Sequence, residues 1–252
     1  MTPETTLGPD WLQLLSLVPI AFLGALVYGV TGFGSALVTI PLATHVVPLP
    51  FALATYAVVD WLTSIRVGLE KPRLIVRGEW LRISSTIVIG STLGMTALFH
   101  LPRHGLMIAL GVFIIAYAFY ALTVRGEGRT VSQRWAYMAG VGGGLSGTLF
   151  GAGGPPYAIY LTHRPLSKDH YRATMSATSV VSITIRVIAY AVTGLLLDKT
   201  VWLAAILSVP AAMAGLYVGT KIFHRIDRAT LARAIAVLLL ATGVALIGRA
   251  VA

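Results

Sequence analysis

Two glycine-rich stretches interrupt otherwise apolar sequence, and they are versions of each other. Residues 24–43 read GALVYGVTGFGSALVTIPLA, and residues 143–162 read GGLSGTLFGAGGPPYAIYLT. At an offset of 119 positions (143 minus 24) three glycines coincide: Gly24, Gly32 and Gly34 fall on Gly143, Gly151 and Gly153. Irregular backbone at membrane depth survives only where protein buries it or where it lines a cavity. Paired interruptions in the two halves of a chain are typical of a transporter's binding site.

The composition places the chain in a membrane. It is 56% hydrophobic and 11% charged, with a mean hydropathy of +0.82, whereas soluble domains carry roughly 25% charged residues. Several apolar stretches approach or exceed the roughly 20 residues that span a bilayer: 83–99, 105–123, 173–197, 201–220 and 234–248. These features predict an all-α integral membrane protein, a polytopic helical bundle in the cell (inner) membrane, with the lipid bilayer as its surroundings.

The positive charge has a simple explanation in the loops. Of the 19 Lys and Arg residues behind the net charge of +10, 14 lie in four connections: 70–82, 124–134, 163–172 and 221–233. Cytoplasmic loops of membrane proteins are enriched in Lys and Arg. This pattern indicates a cytoplasmic position for these loops, both termini outside, and no nucleic-acid partner.

The same loops indicate how the two halves are related. We predict five apolar segments in a first membrane repeat, 1–123, and five in a second, 124–252, within one membrane domain. Equivalent loops carry opposite charge: 46–50 is poor in basic residues where 163–172 is rich. An odd number of segments per half then makes the halves inverted repeats, related by a two-fold axis in the membrane plane.

The two interruptions predict broken or re-entrant helices. The stretch 154–163 holds ten residues, about 15 Å of helix, which is half a bilayer. Loop charge leaves open whether such segments cross fully or dip in and return. We expect the turns, Gly32–Gly34 and Gly151–Gly154, to lie inside the membrane.

Each interruption is followed by the signals of a helix N-terminus. Ser35 is predicted to cap the helix that follows it, since a serine hydroxyl accepts from free backbone N–H groups. Pro155 and Pro156 suit a first helical turn. Helix N-termini favour anions, so the residues around the two breaks are candidate anion-binding residues: Gly32, Phe33, Gly34, Ser35, Gly151, Gly153, Gly154 and Pro155. The alternative is that these glycines serve only close helix packing.

Three charged residues lie within apolar segments. Arg186 is more than ten residues from either predicted end of its segment, where an arginine costs roughly 2.5–3.5 kcal/mol on insertion scales. Arg66 occupies a similar local string, and two guanidiniums would suit an oxyanion. Alternatively, Arg66 extends to the surface. Asp60 is a candidate proton carrier, an Arg186 counter-ion, or a residue of a wet vestibule.

Other kinds of site find no support in the sequence. There is no cysteine, and the histidines lack metal-ligand spacing with carboxylates. Hydrolase and nucleotide-binding patterns are absent, so we expect no catalytic residues, no metal and no cofactor. The pairs Gly90/Gly94 and Gly215/Gly219 have the spacing of close helix contacts and are assigned to packing.

The two motifs resemble those of the sulfite exporter TauE/SafE family of membrane permeases. The strings are GVTGFGSALVTIPL and GxxxGxGGPP, and the resemblance extends over nearly the whole chain. The matching positions are Gly29, Gly32, Phe33, Gly34, Pro41, Gly147, Gly151, Gly153, Gly154, Pro155 and Pro156. The first motif lacks the Gly-Pro-Pro of the second, so the two ends of a site would differ in shape. The resemblance implies transport of sulfite, sulfonates, or related organosulfur or carboxylate anions.

The resulting hypothesis is a secondary transporter that moves sulfite or a sulfonate and binds it near the membrane midplane between the two breaks. The alternatives are a permease for small carboxylates, an anion channel, a membrane-embedded enzyme, or a partner subunit. The expected partners are a small anionic substrate and a coupling ion, either a proton or sodium. A homo-oligomer is left open.

The loop charges predict which positions are reachable from each side of the membrane. Because the chain has no cysteine, single cysteines report sidedness without background. We expect Thr200→Cys to react with an impermeant thiol reagent from outside and Ser167→Cys only from inside. If both variants react from the same side of sealed vesicles, the inverted arrangement of five plus five segments is wrong.

Overall fold

A computed structural model describes residues 9–68, 70–123 and 130–223, together with positions 237, 240, 241, 243, 244 and 248. Within these ranges the chain forms nine α-helices, one 3-10 turn and no strands. The helices are α1 Trp11–Thr31, α2 Ser35–Ala43, α3 Leu49–Gly68, α4 Arg77–His100, α5 Arg103–Thr123, α6 Trp135–Phe150, α7 Gly154–Thr162, α8 Lys168–Val192 and α9 Lys199–Phe223; the 3-10 turn is Pro72–Leu74. The predicted tenth segment, 233–250, lies largely outside the described residues.

The helices have the surface of a membrane protein. Four of them are long and apolar enough to span a bilayer: Trp11–Thr31, Arg77–His100, Lys168–Val192 and Lys199–Ile222. Large apolar side chains face outward, among them Ile89 at 56% and Ile206 at 66% exposure, while charged Asp60 and Arg186 are buried. The predicted all-α fold is confirmed within the described residues, and four of its helices have the length and apolar composition of membrane spans.

The helices of one half pack mainly on helices of the other half. The most extensive contacts join α1 to α9 and α4 to α6, and α3 packs on α8. The first helix of each half therefore packs on the fourth helix of the other half, and the third helices pack on each other. This reciprocity is consistent with a two-fold relation between the halves, whose inversion stays a prediction.

Glycines allow these helix pairs to come together. Across the α4–α6 contact, a Cβ atom at Gly90 would overlap the Val141 carbonyl oxygen, and one at Gly144 would overlap the Ile87 carbonyl oxygen. A Cβ atom at Gly215 would overlap the carbonyl oxygen of Phe22 across the α1–α9 contact. Small residues let membrane helices approach to backbone contact. The assignment of Gly90 and Gly215 to packing is confirmed.

Both glycine-rich stretches break a helix and reverse the chain. Left-handed glycines end α1 and α6: φ is 80° at Gly32 and 71° at Gly151. Downstream, α2 folds back on α1 so closely that a Cβ atom at Gly24 would overlap the Thr39 side chain. Likewise α7 folds back on α6, with the Tyr157 ring against Gly143. The helices are interrupted where the sequence predicts, and α2 and α7 have nine residues each. That these segments are re-entrant within a membrane stays a prediction.

The glycine contacts predict which small substitutions the bundle tolerates. Gly90→Ala places a methyl group on the Val141 carbonyl, so we expect it to cost roughly 1–3 kcal/mol of stability through overpacking. In contrast, a Cβ atom at Gly105 would meet only the Pro102 Cγ atom at 3.6 Å. Gly105→Ala should therefore leave the melting temperature in detergent unchanged or raised. Equal melting temperatures for the two variants would contradict the backbone contact at Gly90.

Candidate functional site

A cavity lies where the two helix breaks meet. Its volume is about 30 Å³. Both breaks contribute to its wall, together with side chains from α1, α3, α7 and α8. The lining residues are Tyr28, Phe33, Gly34, Ser35, Ala36, Asp60, Gly151, Ala152, Gly153, Gly154, Tyr157, Ser179, Ser182, Ile183 and Arg186. Segments that are more than a hundred residues apart in sequence thus form one site.

Among the residues that the structure describes, Arg186 is the only cation that lines this cavity. It lies on α8 with 3% of its surface exposed. Its Nη1 atom donates to the carbonyl oxygens of Gly151, at 2.5 Å, and Gly147, at 3.3 Å. The Nε atom is buried and has no hydrogen-bond partner. The guanidinium is therefore held against the second break while one of its donors stays unused.

Asp60 on α3 is the counter-ion of Arg186. Its Oδ2 atom accepts from Arg186 Nη2 at 3.2 Å, and its Oδ1 atom accepts from the Ser35 hydroxyl at 2.7 Å. Asp60 is 4% exposed. One continuous set of polar contacts therefore runs from the carbonyl of Gly151 through the ion pair to Ser35, and it joins the two breaks.

The role of Ser35 differs from the sequence prediction. Gly34 is the N-cap of α2, with φ of 88° and no side-chain cap, and Ser35 is the first residue of the helix. The predicted capping role for Ser35 is wrong, because its hydroxyl donates to the Asp60 carboxylate. A charged acceptor makes a stronger hydrogen bond than a neutral one.

The two helix N-termini offer unequal numbers of donors. The first N–H groups of a helix have no carbonyl partner within it. In α2 these include Ser35 and Ala36, both of which line the cavity. The first turn of α7 contains Pro155, as predicted, and Pro156, and proline has no N–H. The wall on the α2 side is therefore the richer in backbone donors.

The glycines at the site serve different purposes. A Cβ atom at Gly34 would meet nothing closer than 3.7 Å, so the left-handed backbone alone favours glycine there. A Cβ atom at Gly153 would lie 2.7 Å from the Gly143 carbonyl oxygen, and one at Gly154 would overlap the Phe33 ring. Gly153 therefore allows α7 to lie close to α6, and Gly154 allows Phe33 of the first break to approach the second break; both also line the cavity.

The structure does not bring three predicted site residues into the cavity. Arg66 is exposed in the last turn of α3. Pro155 is buried in α7 and does not line the cavity. Gly32 faces α8 instead, where a Cβ atom would meet the Ser176 hydroxyl at 3.1 Å. Of the two arginines with similar local sequences, only Arg186 belongs to the cavity.

Four polar residues of the cavity were missed by the sequence interpretation. They are Tyr28, Tyr157, Ser179 and Ser182. The Tyr157 hydroxyl donates to the Ser182 Oγ atom at 3.0 Å. The serines had a visible signal: Ser176, Ser179 and Ser182 recur at spacing three, just before Arg186, within an apolar helix. The tyrosines had no such signal, because tyrosine is common in apolar segments.

The charges of the cavity define the chemistry it supports. Asp60 and Arg186 form a buried pair with no net charge, so an anion bound at Arg186 competes with Asp60 for the guanidinium. A lone buried charge is costly, whereas a paired one is tolerated. Among the described residues, no group of three or more His, Asp or Glu side chains is placed to hold a metal ion. The charged groups that line the cavity are the Arg186 guanidinium and the Asp60 carboxylate.

Comparison with known proteins identifies the family of this chain. Residues 17–246 match the family described as Sulfite exporter TauE/SafE. The chain is also 24% identical over 220 residues to a "Probable sulfite/organosulfonate exporter TauE" of Cupriavidus necator, which covers 83% of this chain and 84% of that protein. No solved structure matches the chain. A family match across nearly the whole chain agrees with the resemblance of the two glycine motifs, and the chain belongs to the sulfite exporter TauE/SafE family of membrane transport proteins.

Proposed function

We propose that this protein is a secondary transporter for a small sulfur oxyanion, sulfite or a sulfonate, and that the anion binds in the cavity between the two breaks. The observation that carries the proposal is the buried Arg186 guanidinium beside that cavity. The family and the C. necator relative, whose name describes a sulfite/organosulfonate exporter, support the substrate class.

The cavity offers donors of the kind that an oxyanion needs. Arg186 supplies a planar, permanently charged group suited to oxyanions. The N–H groups of Ser35 and Ala36 add the positive end of the α2 dipole. The hydroxyl groups of Ser179 and Ser182 lie in the same wall. A tetrahedral or pyramidal anion surrounded by these groups has donors on several sides, which a flat carboxylate would use less fully.

Asp60 gives the site a means of coupling. When the substrate anion takes the place of Asp60 at Arg186, an ionised Asp60 would be left buried beside a second negative charge. Such a charge is strongly disfavoured unless it is neutralised. Protonation of Asp60 removes this conflict, so the anion binds together with a proton. We therefore assign the coupling role to a proton, carried by Asp60, and take the substrate and proton to move in the same direction.

Removal of the Arg186 charge tests the binding site directly. Arg186→Gln loses charge-assisted hydrogen bonds worth roughly 1.5–3 kcal/mol, so we expect the affinity for sulfite and for isethionate to fall by about tenfold or more. The matched control is Arg66→Gln, which changes an exposed arginine outside the cavity and should leave the affinity unchanged. Calorimetry on purified protein measures both.

A second variant separates binding from folding. Arg186→Gln leaves Asp60 without its partner, and an unpaired buried charge destabilises the fold. The double variant Asp60→Asn/Arg186→Gln removes both charges and should restore the melting temperature without restoring binding. Retained affinity in a folded double variant would place the site elsewhere. Tighter competition by acetate or malonate than by sulfonates would favour the carboxylate permease, and unsaturable flux in liposomes would favour the channel.

A further inference from the structure

The polar face of α8 continues well beyond the cavity. Arg172, Ser176, Ser179 and Arg186 are spaced by four, three and seven residues and therefore share one face of the helix. All four are buried, with exposed fractions of 8%, 1%, 5% and 3%. From Arg172 to Arg186 the face extends for about 21 Å at 1.5 Å per residue. An apolar membrane helix has no packing reason to bury such a long polar stripe.

A second cavity lies at the Arg172 end of this stripe. Arg172 and Ser176 line it, together with Glu70, Lys71 and Asp169. The Arg172 Nη2 atom donates to the carbonyl oxygen of Gly29 at 3.0 Å, just before the first break. This cavity is next to loops 70–82 and 163–172, which the sequence predicts to be cytoplasmic.

Two buried, neighbouring hydroxyl groups belong to the linings of the two cavities. Tyr28 lines the central cavity and Ser176 lines the second, and they are 2% and 1% exposed. The Tyr28 hydroxyl lies beside the hydroxyls of Ser176 and Ser179. This group of adjacent hydroxyls is therefore suited to a polar ligand that passes between the cavities.

We propose that the anion travels between the central cavity and the cytoplasmic side along this face of α8. Arg172 forms a second, transient anion-binding position at the cytoplasmic end of the path, and Tyr28 separates the two positions. The direction of this path rests on the proposed transport function. The carboxylates of Glu70 and Asp169 beside Arg172 keep the second position weak. Weak sites in series suit passage, because an ion must be able to leave as well as enter.

Thiol labelling tests the path without requiring transport. Ser176→Cys is nearly isosteric, and the chain has no other cysteine. The matched control is Thr178→Cys, since Thr178 is equally buried on another face of α8 and its hydroxyl donates to the Thr174 carbonyl at 2.9 Å. The probes are two methanethiosulfonates, one bearing a sulfonate and one a trimethylammonium group, with each rate normalised to that of a free thiol in solution.

We expect the sulfonate reagent to modify Ser176→Cys at least about tenfold faster than Thr178→Cys, and its normalised rate to exceed that of the cationic reagent. Adding Arg172→Gln should slow the sulfonate reagent only. Equal rates at the two cysteines would overturn the path, and a preference for the cationic reagent would overturn its anion selectivity. The comparison of the two cysteines and the comparison of the two reagents do not require the Arg172→Gln variant to fold.

The labelling also separates this proposal from the function proposed above. Labelling of Ser176→Cys should persist in the Asp60→Asn/Arg186→Gln background, because the path does not depend on the central ion pair. If sulfite and sulfonates fail to bind at Arg186 but the charge-selective labelling remains, the substrate assignment is wrong and the path stands. If they bind but the labelling is absent, the path is wrong and the substrate assignment stands.

Discussion

The ion pair between Asp60 and Arg186 holds the two halves of the protein at their centre. It joins α3 to α8, fastens the second break through the Gly151 carbonyl, and reaches the first break through Ser35. Two charges taken out of water cost several kcal/mol each, and their mutual attraction repays this only when further hydrogen bonds complete the site. Here the remaining oxygen and the Nη1 donor both have partners. The Nε donor of Arg186, which has none, is the point at which the arrangement is incomplete.

The backbone of the breaks makes that pair accessible. A continuous helix satisfies its own polar groups and offers no donors to a ligand at membrane depth. At Gly32 and Gly151 the left-handed backbone ends the helix and turns the chain back, which exposes the start of α2 to the cavity. The glycine contacts between α1 and α9 and between α4 and α6 then hold the paired helices close on either side. The glycines of these helix pairs lie away from the cavity, whereas Gly153 and Gly154 both line the cavity and make close contacts.

Much of the fold followed from the sequence, because long apolar segments in a membrane leave few alternatives to helices. The breaks were visible as glycines and prolines, which act through local backbone geometry. Ser35 was misinterpreted because its partner, Asp60, is 25 residues away, and a local capping rule cannot anticipate a charged acceptor on another helix. Arg66 and Arg186 lie in similar strings, yet α3 ends at Gly68 while α8 continues to Val192. Depth in the helix, and not local sequence, separates an exposed arginine from a buried one.

The central claim is that anion binding at Arg186 requires a neutral Asp60, and proton uptake on binding tests it most directly. Isethionate suits the titration because its sulfonate group stays ionised at every pH of interest. Calorimetry in buffers of different ionisation enthalpy should show about one proton taken up per bound anion at a pH where Asp60 of the free protein is ionised. Asp60→Asn should bind the anion with no proton uptake. Binding by the unaltered protein without proton uptake at any pH, or unchanged uptake in Asp60→Asn, would contradict the account.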